Sequence, residues 1–361
     1  MRRILLRFLA ALIFFAANAA GALPISDVYF FGDSLTDMGN AALMNSPPGP
    51  SSSDSPPSRS PVPYPSVGSD GFVYTPVYVP SWRRPYETSG RFTNGNTWAN
   101  AFANALGFPG AATPSLAGGN NYAVGGASVV PLTSPPEPPP SVVEQLAIFR
   151  ATHGGVTGTF DPTALYFVGA GGNDLRGILA GDVTPAIGAG GIVLGLSSAV
   201  TDLLSWGAQR IVVWNAPDLT LSPQFRAAVL AGLISPAEAA AFLALTNDIN
   251  DAIAALDQLP GVDVFDFAGL IRDVVDQPAK YGLADATSPC GWEDVFQATS
   301  GACTQAFLFW DGVHPTSAGQ AIVADAMIAF VPEPGTALLL GLALVVFFMR
   351  RAPASRRKFH V

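Results

Sequence analysis

Asp27-Val28-Tyr29-Phe30-Phe31-Gly32-Asp33-Ser34-Leu35-Thr36-Asp37 joins an expected strand, Asp27–Phe31, to a candidate nucleophile. Val28–Phe31 is a short apolar and aromatic run, the pattern of a strand buried on both faces. The run stops at Gly32-Asp33, so Ser34 is presented at the mouth of a sheet. A hydroxyl there can attack a carbonyl if a base takes its proton. It can equally cap the next helix, and this segment alone does not decide between the two.

The same rhythm repeats along the chain. Strands are expected at Ala164–Gly169, Arg210–Asn215, Val262–Asp266 and Phe307–Trp310. Helical spacing is expected at 98–106, from Ser141 to about 152, at roughly 186–206, from Ser235 to about 259, up to about Asp276, and at Ser317–Phe330. Ser235-Pro236-Ala237-Glu238 reads as a capping box. Short apolar strands alternating with helices predict a parallel sheet covered on both faces. The fold class is therefore α/β, a three-layer α/β/α sandwich over residues 23–331. Ligands bind such sheets beyond the carboxyl ends of the strands, where the polar motifs below all fall.

Composition narrows the compartment. Of 361 residues 49% are hydrophobic, enough for a sizeable core, while only 12% are charged. Residues 1–22 place Arg2, Arg3 and Arg7 before an apolar run and small residues, the layout of a secretory signal peptide. The two chain ends hold eight of the 18 basic residues, so the domain between them sets ten against 27 acidic ones. Such a surface repels phosphate backbones and makes nucleic acid a poor partner. Residues 45–90 are rich in Pro, Ser and Tyr without core periodicity and read as a long surface insertion. Cys290 and Cys303 predict one disulfide in an exported chain. No histidine stands at metal-ligand spacing from them, so no metal is expected.

Three further segments carry polar chemistry. In Asp311-Gly312-Val313-His314 the carboxylate and imidazole are three apart on one short loop and can meet side chain to side chain. The carboxylate would then hold the tautomer of a histidine base. His153 and His360 lie in a Gly-rich loop and the basic tail, which leaves His314 as the well-placed candidate. Gly169-Ala170-Gly171-Gly172-Asn173-Asp174 follows a strand and offers an amide N–H to a developing oxyanion; a plain strand-to-helix turn is the alternative. Asn121-Tyr122-Ala123-Val124-Gly125-Gly126-Ala127 offers a backbone N–H that can approach a ligand closely.

In combination and order, the blocks at 32–35, 121–127, 171–174 and 311–314 resemble the SGNH, or GDSL, hydrolase family, in its lipase/acylhydrolase branch. Gly90-Arg91-Phe92-Thr93-Asn94-Gly95 fits the same branch. The resemblance implies a flavodoxin-like α/β/α fold and a carboxylic ester hydrolase without cofactor. It implies Ser34 as nucleophile, His314 as base and Asp311 as its orienting carboxylate. The N–H groups of Ser34 and Gly126 and the Asn173 amide would form the oxyanion hole, Gly126 being preferred to Gly125 from the family's spacing. The substrate would be a lipid ester, a short-chain acyl ester or an acetylated glycan. The rivals are a carbohydrate acetylesterase and a non-catalytic surface or matrix-binding protein on the same fold.

The tail Val331-Pro332-Glu333-Pro334, the apolar run 337–349 and the following arginines resemble a PEP-CTERM sorting segment, here 332–361. That resemblance implies a Gram-negative host, transient anchoring in the inner membrane, cleavage by an exosortase-type enzyme, and delivery to the cell surface or beyond. A permanent membrane anchor is the alternative.

Overall fold

In the computed structural model the described residues are 24–45, 90–131, 139–154, 160–290 and 306–331. The expected signal peptide, nearly all of the Pro-rich insertion, Cys303 and the sorting segment lie outside them. Four parallel strands form the central sheet in the order β1 (Val28–Gly32), β2 (Leu165–Gly169), β3 (Ile211–Trp214) and β4 (Val262–Phe265). Phe30 sits opposite Phe167, and Gly32 opposite Gly169. Every residue of β2 is buried, as expected for a parallel strand with a helix layer on each side.

The other edge of β1 is covered by residues 120–124. Phe30 N–H donates to Asn120 O (3.1 Å), Tyr122 N–H to Phe30 O (2.7 Å) and Val124 N–H to Gly32 O (3.0 Å). This segment forms isolated bridges rather than a full strand; the Asn121 side chain accepts Ala123 N–H (3.0 Å) and donates to Thr36 O (2.8 Å). Topologically the segment still acts as a strand. The chain passes from β1 to this edge and then back across β1 to β2, so the direction of winding reverses at β1. That reversal opens a crevice at the carboxyl end of β1, the place where open α/β sheets bind ligands. Ser34 stands there.

The helices are α1 (Asn40–Asn45), α2 (Trp98–Ala105), α3 (Val142–Phe149), α4 (Gly172–Ala180), α5 (Pro185–Ser205), α6 (Pro223–Leu230), α7 (Pro236–Ala254), α8 (Phe267–Asp276) and α9 (Ser317–Phe330). Leu146 and Phe149 of α3, Ile192, Leu196 and Leu203 of α5, and Ile249 and Ile253 of α7 bury one face of the sheet against Phe31, Tyr166, Val168 and Val213. On the opposite face Trp98 of α2 meets Phe30, Phe167 and Trp214 with ring centroids 5.5, 4.5 and 5.1 Å apart. Phe267 of α8 stacks on Trp214 at 4.3 Å, and Phe330 of α9 meets Phe265 edge-on at 5.3 Å. Helix α5 is long and apolar enough to cross a membrane by length and composition, but its buried face belongs to this core. The capping box at Ser235 is formed, with Glu238 N–H on Ser235 Oγ (3.2 Å) and Ser235 N–H on Glu238 Oε2 (2.8 Å).

One strand sits elsewhere than the alternation suggests. β6 (Phe307–Phe309) is formed but pairs with β5 (Asp285–Pro289) in a separate two-stranded parallel sheet. β5 reads Asp-Ala-Thr-Ser-Pro, which has no apolar run to announce it. The pair brings the loop after β6 over the carboxyl end of the central sheet.

Candidate active site

The loop after β6 is tied down before its side chains are considered. Trp310 N–H donates to His314 O (2.7 Å) and Gln224 N–H to Gly312 O (3.0 Å). Asp311 Oδ1 accepts the backbone N–H groups of Val313 (2.8 Å) and His314 (2.7 Å). Its Oδ2 lies 2.7 Å from His314 Nδ1, and His314 Nε2 lies 2.9 Å from Ser34 Oγ. Burial alone would raise the Asp311 pKa. The facing imidazole, its hydrogen bond and the two backbone donors outweigh burial and hold the carboxyl below its ordinary value. With Asp311 ionised, Nδ1 carries the proton and Nε2 is left as the acceptor for Ser34.

The turn that carries Ser34 closes through Asp33, whose carbonyl accepts the N–H groups of Thr36 (3.1 Å) and Asp37 (3.0 Å). Ser34's own N–H has no partner among the described residues. Asp37 is the hub of the next layer. Its Oδ1 takes the N–H groups of Gly39 and Asn40, each at 2.7 Å. Its Oδ2 takes Ala41 N–H (3.1 Å) and Gly125 N–H (2.8 Å). Gly125 is thereby committed, while the N–H of Gly126 has no partner among the described residues. Gly126 has φ of 84°, a left-handed conformation that suits glycine. Among the described residues the two glycines therefore differ, Gly125 N–H being taken by Asp37 and Gly126 N–H not.

Asn173 opens α4. Its Nδ2 donates one hydrogen to Ala127 O (2.8 Å), which fixes the amide and leaves the second N–H for the cleft that Asn173 lines. The next residue, Asp174, accepts Val129 N–H through both oxygens (3.2 and 3.0 Å) and so holds the other end of the same loop. Burial pushes Asp33 up to about 6 and Asp174 up to about 7; it also raises Asp37, against four backbone donors.

The structure brings Ser34, Asp311 and His314 into one hydrogen-bonded chain and sets Asn173 in the same cleft. Cys290 follows β5, but its expected partner lies outside the described residues. Sequence reasoning assigned no role to Asp37, although it stands in the quoted Ser34 segment. It also passed over Gln145, whose amide bridges the N–H and C=O of Gly32 at 2.9 Å each and so steadies the end of β1. The available signal was a polar side chain on the helix stripe formed by Val142, Leu146 and Phe149. A cleft of about 650 Å³, including its part open to solvent, extends from Ser34 and His314. Leu219, Phe267, Ile271, Phe309 and Val313 supply much of its wall, with Arg176 and Asp218 among the polar lining.

A reversal-point crevice holding a Ser–His–Asp chain beside spare N–H donors has the layout of an acyl-transfer site on an SGNH α/β fold. The GDSL-like lipase/acylhydrolase family model matches residues 28–327, and the chain belongs to that family, a family of carboxylic ester hydrolases. A PEP-CTERM protein-sorting motif matches residues 330–352, which indicates export in a Gram-negative bacterium with membrane-associated sorting. Among curated relatives, a GDSL esterase/lipase of Arabidopsis thaliana is 26% identical over 312 residues, covering 73% of this chain and 85% of its own. Esterase EstA of Pseudomonas aeruginosa is 28% identical over 355 residues, covering 90% of this chain and 49% of its own. The thermolabile hemolysin of Vibrio parahaemolyticus is 25% identical, covering 68% of this chain and 58% of its own. The chain thus spans most of the plant relative and about half of the two bacterial ones.

Proposed function

We propose that this ester hydrolase works by two-step acyl transfer on Ser34. The observation that carries the reading is the continuous chain from Ser34 Oγ to His314 Nε2 (2.9 Å) and from Nδ1 to Asp311 (2.7 Å). His314 takes the Ser34 proton as Oγ bonds to the ester carbonyl carbon. The oxyanion is held by the N–H groups of Ser34, Gly126 and Asn173. His314 then gives the proton to the leaving alcohol as the ester C–O bond breaks, and water repeats the cycle on the acyl-enzyme. The apolar part of the cleft favours an acyl chain longer than acetyl, and therefore a lipid-type or short-chain acyl ester over an acetylated glycan.

The test is hydrolysis of aryl esters of increasing acyl length by the wild type and Ser34→Ala. Turnover is expected to rise from acetate to longer chains and to fall at least about a thousandfold in the variant, since such residues act as a unit. A variant that keeps more than a few per cent of turnover removes Ser34 as nucleophile. A strict preference for acetyl removes the acyl-chain reading.

Export completes the proposal. Residues 1–22 direct secretion, the segment around 332–361 holds the chain briefly in the inner membrane, and an exosortase-type enzyme releases it to the cell surface or beyond. Cys290 and Cys303 form a disulfide in the exported protein, closing the loop that precedes β6. Intact mass of protein from its native host, with thiol counting, tests both points.

A further inference from the structure

We infer that Phe92 is a positioning residue of the active site, its ring stabilising the imidazolium that His314 becomes during acyl transfer. The ring edge of His314 is taken up at both nitrogens, by Asp311 and Ser34. Phe92 packs against the imidazole with centroids 5.2 Å apart and planes inclined by 37°. A cation within about 6 Å of an aromatic centroid is attracted by the negative face of the ring. Neutral imidazole gains little from that contact and imidazolium gains more, so the stabilisation appears as Ser34 gives up its proton.

Two independent features hold the ring there. The first is Gly125. A Cβ built on it would lie 2.0 Å from two atoms of the Phe92 ring, so this ring position requires glycine at 125. The Gly-Gly pair therefore has two separate duties, Gly126 for its left-handed backbone and Gly125 to admit Phe92. The second is the clamping of the segment that carries Phe92. Asn94 Oδ1 accepts Ser317 N–H (2.7 Å), and Trp98 N–H donates to Gln320 Oε1 (2.9 Å). Both tie the segment to α9, which begins three residues after His314. Phe92 thus packs against the base and the Gly125–Gly126 turn together, on a segment fastened to the helix that follows the catalytic loop.

Charged groups around His314 do not make the ring redundant. Asp311 is its in-plane partner, Asp33 lies close enough to feel its charge, and Arg176 and Asp218 line the same cleft. Each acts by charge, whereas Phe92 acts by the quadrupole of its ring. That difference makes the idea testable without altering shape.

The experiment replaces Phe92 with phenylalanine carrying one, two or three ring fluorines, alongside Phe92→Leu, Phe92→Tyr and Phe92→Trp, in the full exported domain. Fluorination keeps the ring's outline and withdraws electron density from its face. The expected result is a stepwise fall in kcat with fluorine number and nearly constant KM. Phe92→Leu should lose roughly three- to thirty-fold in kcat, the range of a cation–ring contact at such a centroid distance, and Tyr or Trp should restore most of it. A flat fluorine series overturns the proposal even where Phe92→Leu is impaired, because shape alone would then account for the loss. The proposal rests on His314 as base, so His314→Gln is measured beside it. If that variant keeps wild-type turnover, the site reading itself fails; if it is inactive and the fluorine series is flat, only the role of Phe92 fails.

Discussion

Two carboxylates near Ser34, Asp37 fully buried and Asp311 part-buried, do similar structural work for different chemical ends. Asp311 and Asp37 each gather backbone N–H groups, two for Asp311 and four for Asp37. Asp311 spends its remaining oxygen on an imidazole, and the facing ring holds its pKa down. Asp37 faces only backbone and its pKa is raised by burial, with Gly125 among its donors. One half of the site is therefore assembled within four consecutive residues. The other half joins residues 37, 125 and 173 from three distant parts of the chain. A local device can be built by one loop, whereas the proposed oxyanion cradle draws on several loops at the upper rim of the sheet.

The largest expected effect breaks the comparison at Asp311. Asp311→Asn keeps the size of the side chain but removes the charge that fixes the His314 tautomer, and kcat should fall roughly 10⁴-fold. Fold and Tm should change little, which circular dichroism and calorimetry would check. A loss smaller than about tenfold would show that the carboxylate is only a loop fastener like Asp37. The next effect lies on the oxyanion side. Asn173→Ala removes one donor, and kcat should drop on the order of 10²–10³ with little change in KM. A change confined to KM would assign Asn173 to ground-state binding instead.

Asp37→Asn sharpens the contrast. One oxygen becomes an NH₂ that faces two N–H donors, so two hydrogen bonds are lost and the Gly125–Gly126 turn loosens. Leaving buried donors unsatisfied costs about 1–3 kcal/mol. The expected result is a lowered Tm together with a roughly ten- to hundredfold fall in kcat, between the loss at Asn173 and no effect. Unchanged kcat with a lowered Tm would mean that Gly126 keeps its place without Asp37.

The same contrast governs what the sequence alone could reveal. Asp311 and His314 were legible because their partnership needs only spacing along one loop. The Ser34 segment alone left a nucleophile and a helix cap equally open, and only the order of all four blocks pointed to the nucleophile. The α/β/α layers followed from the alternation, since β2 and β3 are continuous apolar runs. Gln145 and Asp174 hold backbone groups 113 and 45 residues away, and Asp37 joins three neighbouring N–H groups to one 88 residues away; spacing along the chain carries no trace of the distant pairings. β5 escaped notice for a related reason: it is a polar segment ordered by pairing rather than by burial of its own side chains. Phe92 stood in a quoted block, but its meaning depends on the ring's position between His314 and Gly125, which only folding supplies.

The smallest expected effect concerns Asp174, whose carboxylate holds Val129 N–H through both oxygens. Burial raises its pKa from 3.8 to about 7, with the nearby Asp33 adding to the rise. Between those two values the folded chain binds more protons at this position than the unfolded chain. Stability must therefore decline as pH rises through that window, the reverse of the usual salt-bridged aspartate. Asp174→Asn keeps one oxygen for Val129 N–H and removes the ionisation. The variant should match or fall slightly below the wild type in Tm near pH 4, where Asp174 is protonated in the fold. It should gain on the wild type by a few degrees above about pH 7, on the usual scale of Tm change per kcal/mol. Calorimetry of both proteins from pH 4 to 8 measures the difference directly. A Tm difference that does not vary with pH would mean that Asp174 stays ionised throughout, with water or a cation reaching it in solution, and the contrast with Asp311 would then rest on geometry alone.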